Sequence, residues 1–333
     1  MKQYILKRLL LIFPTLFGIT LVTFVIIQLA PGNPAVLKVR MARQGVADEA
    51  ASQTIVEQTK KLYGLDKPLP HRFWIWMKQV STLNFGTSYK DFRPVMDKIL
   101  EALPVTLQLD IISILLSYLI AIPIGVYSAV KQDSLPDRIS TVALFVLYSL
   151  PSFWVATILI MVLGGGDYLD LFPIYGISSF HADEMDFWHW LTDRIWHLVL
   201  PVACLTYGGL ASISRYMRAG MLEVIRQDYI LTARAKGLSE KVVIFKHAFR
   251  NSIIPIVTFL AFLLPAMLGG SVIVESIFSI PGMGKLGFEA VLSRDYPVIM
   301  AIATISSLLT LVGMLLSDIL YVLVDPRISY ERF

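Results

Sequence analysis

Val105–Val130 reads VTLQLDIISILLSYLIAIPIGVYSAV, 26 residues with a single charge, Asp110. About 20 predominantly apolar residues suffice for a helix to cross the hydrocarbon core of a bilayer. A helix on the surface of a water-soluble domain needs only one apolar stripe. Here every face is apolar, so the run reads as a membrane span. The same pattern returns on either side, at Leu9–Ala30, Ile139–Leu163, Leu198–Met217, Ile253–Phe278 and Val298–Val324. The expected fold is an all-α membrane protein with six transmembrane helices.

Composition agrees. The 333 residues are 56% hydrophobic and 16% charged, and the mean hydropathy is +0.65. A surface facing water would need roughly a quarter of the residues charged, so lipid covers much of this one. The net charge of +4 is mild. In a membrane protein it reflects basic loops on the cytoplasmic side and a lipid partner, with no nucleic acid implied. The single cysteine, Cys204, excludes an intrachain disulfide and reads as a small buried hydrophobe. No histidines and cysteines stand at metal-ligand spacing, so nothing points to a metalloenzyme.

Loop charges set the orientation. Lys131 and Arg138 flank one short connection, and the segment 215–250 carries Arg215, Arg218, Arg226, Arg234, Lys236, Lys241, Lys246 and Arg250. Residues 164–196 instead hold six carboxylates against Arg194. Both termini are expected in the cytoplasm. Lys2, Lys7 and Arg8 give the first run the look of a signal peptide, but its apolar core is too long and no small-residue cleavage site follows, so it reads as a retained helix. The chain thus divides into residues 1–30 (cytoplasmic N-terminus and first span), an extracytoplasmic excursion over 31–104, and a five-helix core over 105–333 with a cytoplasmic loop at 215–252. Within the excursion, residues 45–62 read as a helix with a polar face. Trp74 and Trp76, like Trp188, Trp190 and Trp196, suit either interfacial anchoring or docking of an external partner.

The cytoplasmic loop is the most informative segment. A helix is expected through Met221, Leu222, Val224 and Ile225 to Tyr229 and Ile230, followed by a turn of small residues, Thr232-Ala233-Arg234-Ala235-Lys236-Gly237-Leu238. Gly237 can take positive φ and close the helix, and Ser239 can cap a second one. A solvated basic loop beside anionic lipid would explain the charges but not the small-residue turn.

Asp228-Tyr229-Ile230-Leu231-Thr232-Ala233-Arg234-Ala235-Lys236-Gly237-Leu238 resembles the EAA-type coupling loop of bacterial ABC importer permeases, in particular the dipeptide, oligopeptide and nickel group. Leu231-Thr232-Ala233 stands where the general motif has Glu-Ala-Ala, a departure usual in that group. The likeness continues, in order, through almost the whole chain. It includes Pro31-Gly32-Asn33-Pro34, Tyr63-Gly64-Leu65-Asp66-Lys67-Pro68 and Phe85-Gly86-Thr87-Ser88. It then includes Lys246–Asn251 with Pro255, Glu275–Gly284, Arg294-Asp295-Tyr296-Pro297 and Asp325-Pro326-Arg327-Ile328. Gly164–Pro173 is similar to the branch that carries peptides and microcin C.

The resemblance implies a subunit that forms half of a translocation path together with a second homologous permease. It also implies two ATP-binding subunits docked on the loops and an extracytoplasmic substrate-binding protein. Asp228, Tyr229, Thr232, Ala233, Ala235, Lys236 and Gly237 are then expected at the ATPase contact. Glu275, beside the Pro281-Gly282-Met283-Gly284 turn, is a candidate pathway or gate residue with Pro281, Gly282 and Gly284. Asp110 and Asp318, also charged within spans, look more structural. No Gly-x-x-x-x-Gly-Lys-Ser/Thr loop occurs, so ATP is expected on the partners, with no cofactor and no catalytic residue in this chain. Pro123, Pro151 and Pro265 are expected to break intramembrane helices, and short helices over 279–297 are expected to dip back toward the path. An intramembrane enzyme would need a nucleophile and base, or paired carboxylates, at membrane depth. Asp193 and His197 stand four apart, which more often marks a surface contact. An ion-driven secondary transporter, the alternative function, would show inverted repeats and midplane carboxylates.

Overall fold

A computed structural model describes residues 2–29, 66–165, 168–253, 256, 267 and 269–324. Pro31–Pro34, the expected helix at 45–62, Tyr63–Leu65, Pro255, Pro265, half of the fifth expected span and Asp325–Ile328 lie outside the described residues.

The described elements are α1 (Lys2–Leu29), α2 (Leu69–Ser81), α3 (Val95–Val130), α4 (Leu135–Ser149), α5 (Ser152–Leu163), α6 (Phe187–Ile225), α7 (Asp228–Ala235), α8 (Glu240–Val242), α9 (Phe249–Ser252), α10 (Val272–Ile277), α11 (Met283–Ser293) and α12 (Tyr296–Val324). A π-helical turn, Val243–Ala248, joins α8 to α9. Four helices are long and apolar enough to cross a membrane, or five if α4 and α5 form one broken span. The helices overrun the apolar stretches. α3 begins ten residues before Val105, and α6 extends past both Leu198 and Met217. Apolar length measures only the hydrocarbon thickness, whereas backbone hydrogen bonding continues the helix into the polar layers.

The centre is the crossing of α3 and α6. On α3 the buried residues Ser113, Ser117, Ala121, Gly125 and Ala129 recur every fourth position, a stripe of small side chains along one face. Ser117 donates to the Thr206 carbonyl at 3.0 Å. A Cβ at Gly125 would lie 2.6 Å from both Met217 Cβ and the Ser214 carbonyl oxygen. Lipid tails are as apolar as side chains, so such helices associate through close van der Waals packing, which small residues permit. This four-residue repeat is legible in the sequence but escaped the reading of spans and loops.

Two expectations about proline divide. At Pro151 the chain does break: α4 and α5 meet at 98°. The Leu150 carbonyl accepts a hydrogen bond from the Tyr207 hydroxyl of α6 at 2.9 Å, which meets the demand for a partner in a dry environment. Pro123 instead stays inside an uninterrupted α3, as do Pro104 in α3 and Pro201 in α6. Its ring lies on the exposed side of the helix, where the lost hydrogen bond is absorbed without crowding a neighbour.

At one end of the bundle, α2 lies along α1, with the Phe73 ring 5.7 Å from Phe17 and 5.3 Å from Phe24. Trp76 is not at an interface. It is 4% exposed and packs on Phe85, ring centroids 5.8 Å apart, while Trp74 is 68% exposed. Positions two apart on a helix point about 200° apart, so only one of the pair can face outward. The following strap, residues 85–94, crosses to the junction of α11 and α12. There Asp295, itself buried, accepts from Ser88 Oγ at 2.5 Å and from the Tyr89 amide at 2.8 Å. Phe85–Ser88 and Arg294–Pro297, separate motifs in the sequence, thus form one contact.

Candidate functional site

α6 ends at Ile225. Arg226 turns the backbone, and Gln227, extended at ψ 147°, starts α7 at Asp228. The break therefore comes before Tyr229 and Ile230, which correct the expected first helix by belonging to the second. Thr232–Ala235 are helical, not turn. Asp228 in the first turn complements the positive helix N-terminus. Ile230 and Ala233 are buried in one cluster with Met217, Met221, Val243, Ala248 and Ile256, so, three residues apart on one face, they seat α7 on the bundle.

The turn closes at Gly237. With φ +76° it brings its amide to the Arg234 carbonyl at 2.9 Å, and the Leu238 amide to the Ala233 carbonyl at 3.4 Å. This paired pattern satisfies the last carbonyls of the helix. A Cβ on Gly237 would meet nothing within 4 Å. Ser239 occupies the cap position of α8, but its side chain makes no capping bond. Its carbonyl accepts from the Val242 and Val243 amides at 2.9 and 3.0 Å. Arg234 binds Glu240 across the turn at 2.7 and 3.4 Å, and Asn251 donates to the Tyr229 hydroxyl at 2.7 Å. Of the expected coupling residues, Asp228, Tyr229, Thr232, Ala235, Lys236 and Gly237 are exposed, and Ala233 faces inward. Tyr229, Leu231, Leu238, Val242 and Phe245 make an exposed apolar surface among the exposed Arg226, Lys236, Lys241, Lys246 and Arg250.

Behind this element, Arg218 of α6 binds Asp137 of α4 through two bonds, 3.1 and 2.9 Å. Asp137 is 3% exposed and also accepts from Ser128 Oγ and the Asp133 amide. Three helices are thereby tied at the end that carries α7. No sequence spacing relates positions 137 and 218.

The four candidate gate residues lie in one compact knot. Glu275 is 1% exposed. Its Oε1 accepts from Thr106 Oγ1 at 2.9 Å and its Oε2 from the Lys285 amide at 2.8 Å. Thr106 in turn accepts from the Met283 amide at 2.8 Å. These amides open α11, whose cap position is Gly282 and has no side chain to offer. The carboxylate of one helix thus caps another and sits against the positive end of its dipole. A Cβ at Gly282 would lie 2.5 Å from Glu275 Cδ, one at Gly284 2.7 Å from the Val272 amide, and one at Gly270 2.4 Å from Glu275 Oε1. Pro281 is exposed beside them. Thr106 was missed by sequence reasoning because a lone threonine in a span carries no signal.

Asp318 pairs with Arg8 of α1 at 2.8 Å. Asp193 is occupied by Ser179, whose amide and hydroxyl donate at 2.8 and 2.6 Å, and His197 Nδ1 lies 2.9 Å from the Asp193 carbonyl. Neither forms a nucleophile–base pair. Among the described residues no group of three or more His, Cys, Asp or Glu is placed to hold a metal.

Four helices, or five if α4 and α5 form one span, that are long and apolar enough to cross a bilayer, with an exposed helix–turn–helix, mark an integral-membrane protein. Family comparison agrees along both halves of the chain. Residues 121–330 match the binding-protein-dependent transport system inner membrane component, and residues 1–110 match the N-terminal region of such membrane components. The chain belongs to this family, is a transport permease component and not an enzyme, and resides in the inner membrane. It is 42% identical to the oligopeptide transport system permease protein AppB of Bacillus subtilis, over 99% of this chain and 100% of that protein. It is 34% identical to the inner membrane ABC transporter permease protein YejB of Escherichia coli O157:H7, again over 99% and 100%. The dipeptide transport system permease protein DppB of Lactococcus lactis is 36% identical over 98% and 99%.

Proposed function

We propose that this chain forms half of the path of an ATP-driven importer of peptides or peptide-like compounds, beside a second homologous permease. In this reading it crosses the membrane six times with both termini in the cytoplasm. Two ATP-binding subunits dock on α7 to α9, and an extracytoplasmic binding protein delivers cargo to the side of residues 31–104. ATP stays on the partners.

The observation that carries this reading is the exposed surface of α7 to α9. Five large apolar side chains lie open among basic ones, around a glycine turn with empty space over it. A contiguous apolar patch with a polar rim marks a protein contact. α7 packs on the Val243–Ala248 turn, and Ile230 and Ala233 join the buried cluster that holds Met217 and Met221 of α6 and Val126 and Ala129 of α3, so force on its outer face has a packed route to the central helices. Asp228, Tyr229, Thr232, Ala235, Lys236 and Gly237 make the contact, and Ala233 seats the helix. At the opposite end, the Glu275, Pro281, Gly282 and Gly284 knot moves as a unit and serves as the gate element. The peptide cargo follows the names of the relatives, whose oligopeptide and dipeptide permeases match over full length.

The test is substrate-stimulated ATP hydrolysis and uptake by the chain coexpressed with the products of neighbouring genes, with and without Gly237→Asp. The variant should insert and assemble but lose uptake and substrate-stimulated hydrolysis. Normal uptake in the variant, or a wild-type chain that copurifies with no ATPase, overturns the reading and brings an ion-driven carrier forward.

A further inference from the structure

A cleft of about 470 Å³ lies between α1, α2, the strap and the start of α12. It sits at the end of the bundle opposite α7, and none of its lining residues belongs to the Glu275 knot. One face of α2 lines it: Arg72, Ile75, Trp76 and Gln79 stand at helical spacing, with Gln28 of α1 opposite. The floor is aromatic, made by Phe24, Trp76 and Phe85, all buried.

Arg72 is the unexplained group. It is partly buried, and burial pulls its guanidinium below the ordinary arginine range, while Tyr89, Tyr296 and Asp66 act on it electrostatically. Among the described residues no carboxylate forms an ion pair with it within 4 Å, and Lys67 adds a second cation to the cleft wall. A guanidinium held in an aromatic-lined cleft beside amide side chains is suited to a phosphate, whose oxygens accept its planar fork of donors.

The surroundings say where that phosphate comes from. On α2 the exposed Trp74 stands next to the cleft-lining Ile75, and an exposed tryptophan suits the headgroup layer of a membrane. Below the cleft, Phe17 and Leu21 are exposed on the stripe of α1 that carries Phe24 and Gln28, which leaves an apolar track running from the cleft along a membrane-spanning helix. A soluble phosphate has no use for that track; an acyl chain does.

We infer that this cleft binds an anionic phospholipid, with the headgroup phosphate on Arg72, assisted by Lys67, and an acyl chain along Phe17 and Leu21. The full-length chain, purified in detergent with its copurifying subunits, would be titrated with phosphatidylglycerol or phosphatidylethanolamine and read by native mass spectrometry. Phosphatidylglycerol should be retained in preference, and Arg72→Gln should weaken retention about tenfold or more, as expected for loss of a charged hydrogen bond. Arg72→Lys should keep part of it. Arg93→Gln, which removes an exposed cation of the same segment, should leave it unchanged. Thermal unfolding of each variant without added lipid separates loss of the site from loss of the fold. Retention that ignores Arg72 or headgroup charge overturns the inference. So does inorganic phosphate that displaces the lipid and protects the chain equally well alone, which would make the cleft a site for soluble phosphate.

Discussion

Asp137 and Glu275 are buried carboxylates that reach satisfaction by different means. Asp137 has a guanidinium and two further donors, whereas Glu275 has a threonine hydroxyl and the amides of a helix start. Removing one member of a buried ion pair strands the other, so Arg218→Met should destabilise the chain by about 3 kcal/mol, the low end of the usual range because Arg218 keeps some water. Adding Asp137→Leu should recover most of that loss, and denaturant unfolding in detergent of the two variants and the double variant checks both. On the strap, burial alone would raise the Asp91 carboxyl, but hydrogen bonds from the Lys98 ammonium and the Arg93 amide outweigh it and hold it at about 2. A folded value depressed below the ordinary one near 4 means the carboxylate stabilises the strap above that pH and stops doing so as pH falls toward 2. Amide exchange at residues 88–93 should therefore quicken over that window, and Asp91→Asn should abolish the dependence. Glu275 was visible in the sequence as a charge within a span, whereas Asp137, in a connection between spans, was not. Neither partner was visible, because Arg218 and Thr106 lie 81 and 169 positions away from the groups they serve.

Two glycines show how an element depends on space. Gly237 stands at positive φ over open space, so Gly237→Ala should cost only about 1 kcal/mol of backbone strain and leave assembly intact. Gly282 has ordinary extended backbone, but its Cβ would strike the carboxylate that caps α11. Gly282→Ala should therefore lower the melting temperature of the purified complex clearly more than Gly237→Ala does. Equal effects would refute the capping account of Glu275. The turn at Gly237 was legible because a glycine after small helix formers has a local meaning. The earlier break at Gln227 was not, since Met221–Ile230 keeps an apolar pattern across it and periodicity alone cannot see a change of helix direction.

At the scale of the molecule, the strap fastens the segment before α3 to the junction that opens α12, chiefly through Asp295. Asp295→Ala should release it, and limited proteolysis between residues 82 and 94 should become markedly faster while α1 and α3 remain protected. Unchanged cleavage would mean that the aromatic contacts of Trp76 and Phe85 hold the strap unaided. The sequence by itself determined that the chain lives in a membrane, that several of its runs are long and apolar enough for spans, that a basic segment with a turn at Gly237 interrupts them and to which family the ordered motifs belong. The first three follow from apolar length, charge placement and glycine conformation, all local properties, and the family from the likeness of its ordered motifs. Only the tertiary structure decided that one expected span bends by 98° at Pro151, that small residues on α3 meet α6, that Glu275 caps a helix not its own and that Ser88 meets Asp295. Such contacts depend on how helices rotate and cross, and in a bilayer, where every outward face is equally apolar, little along the chain besides the small-residue repeat of α3 records that rotation.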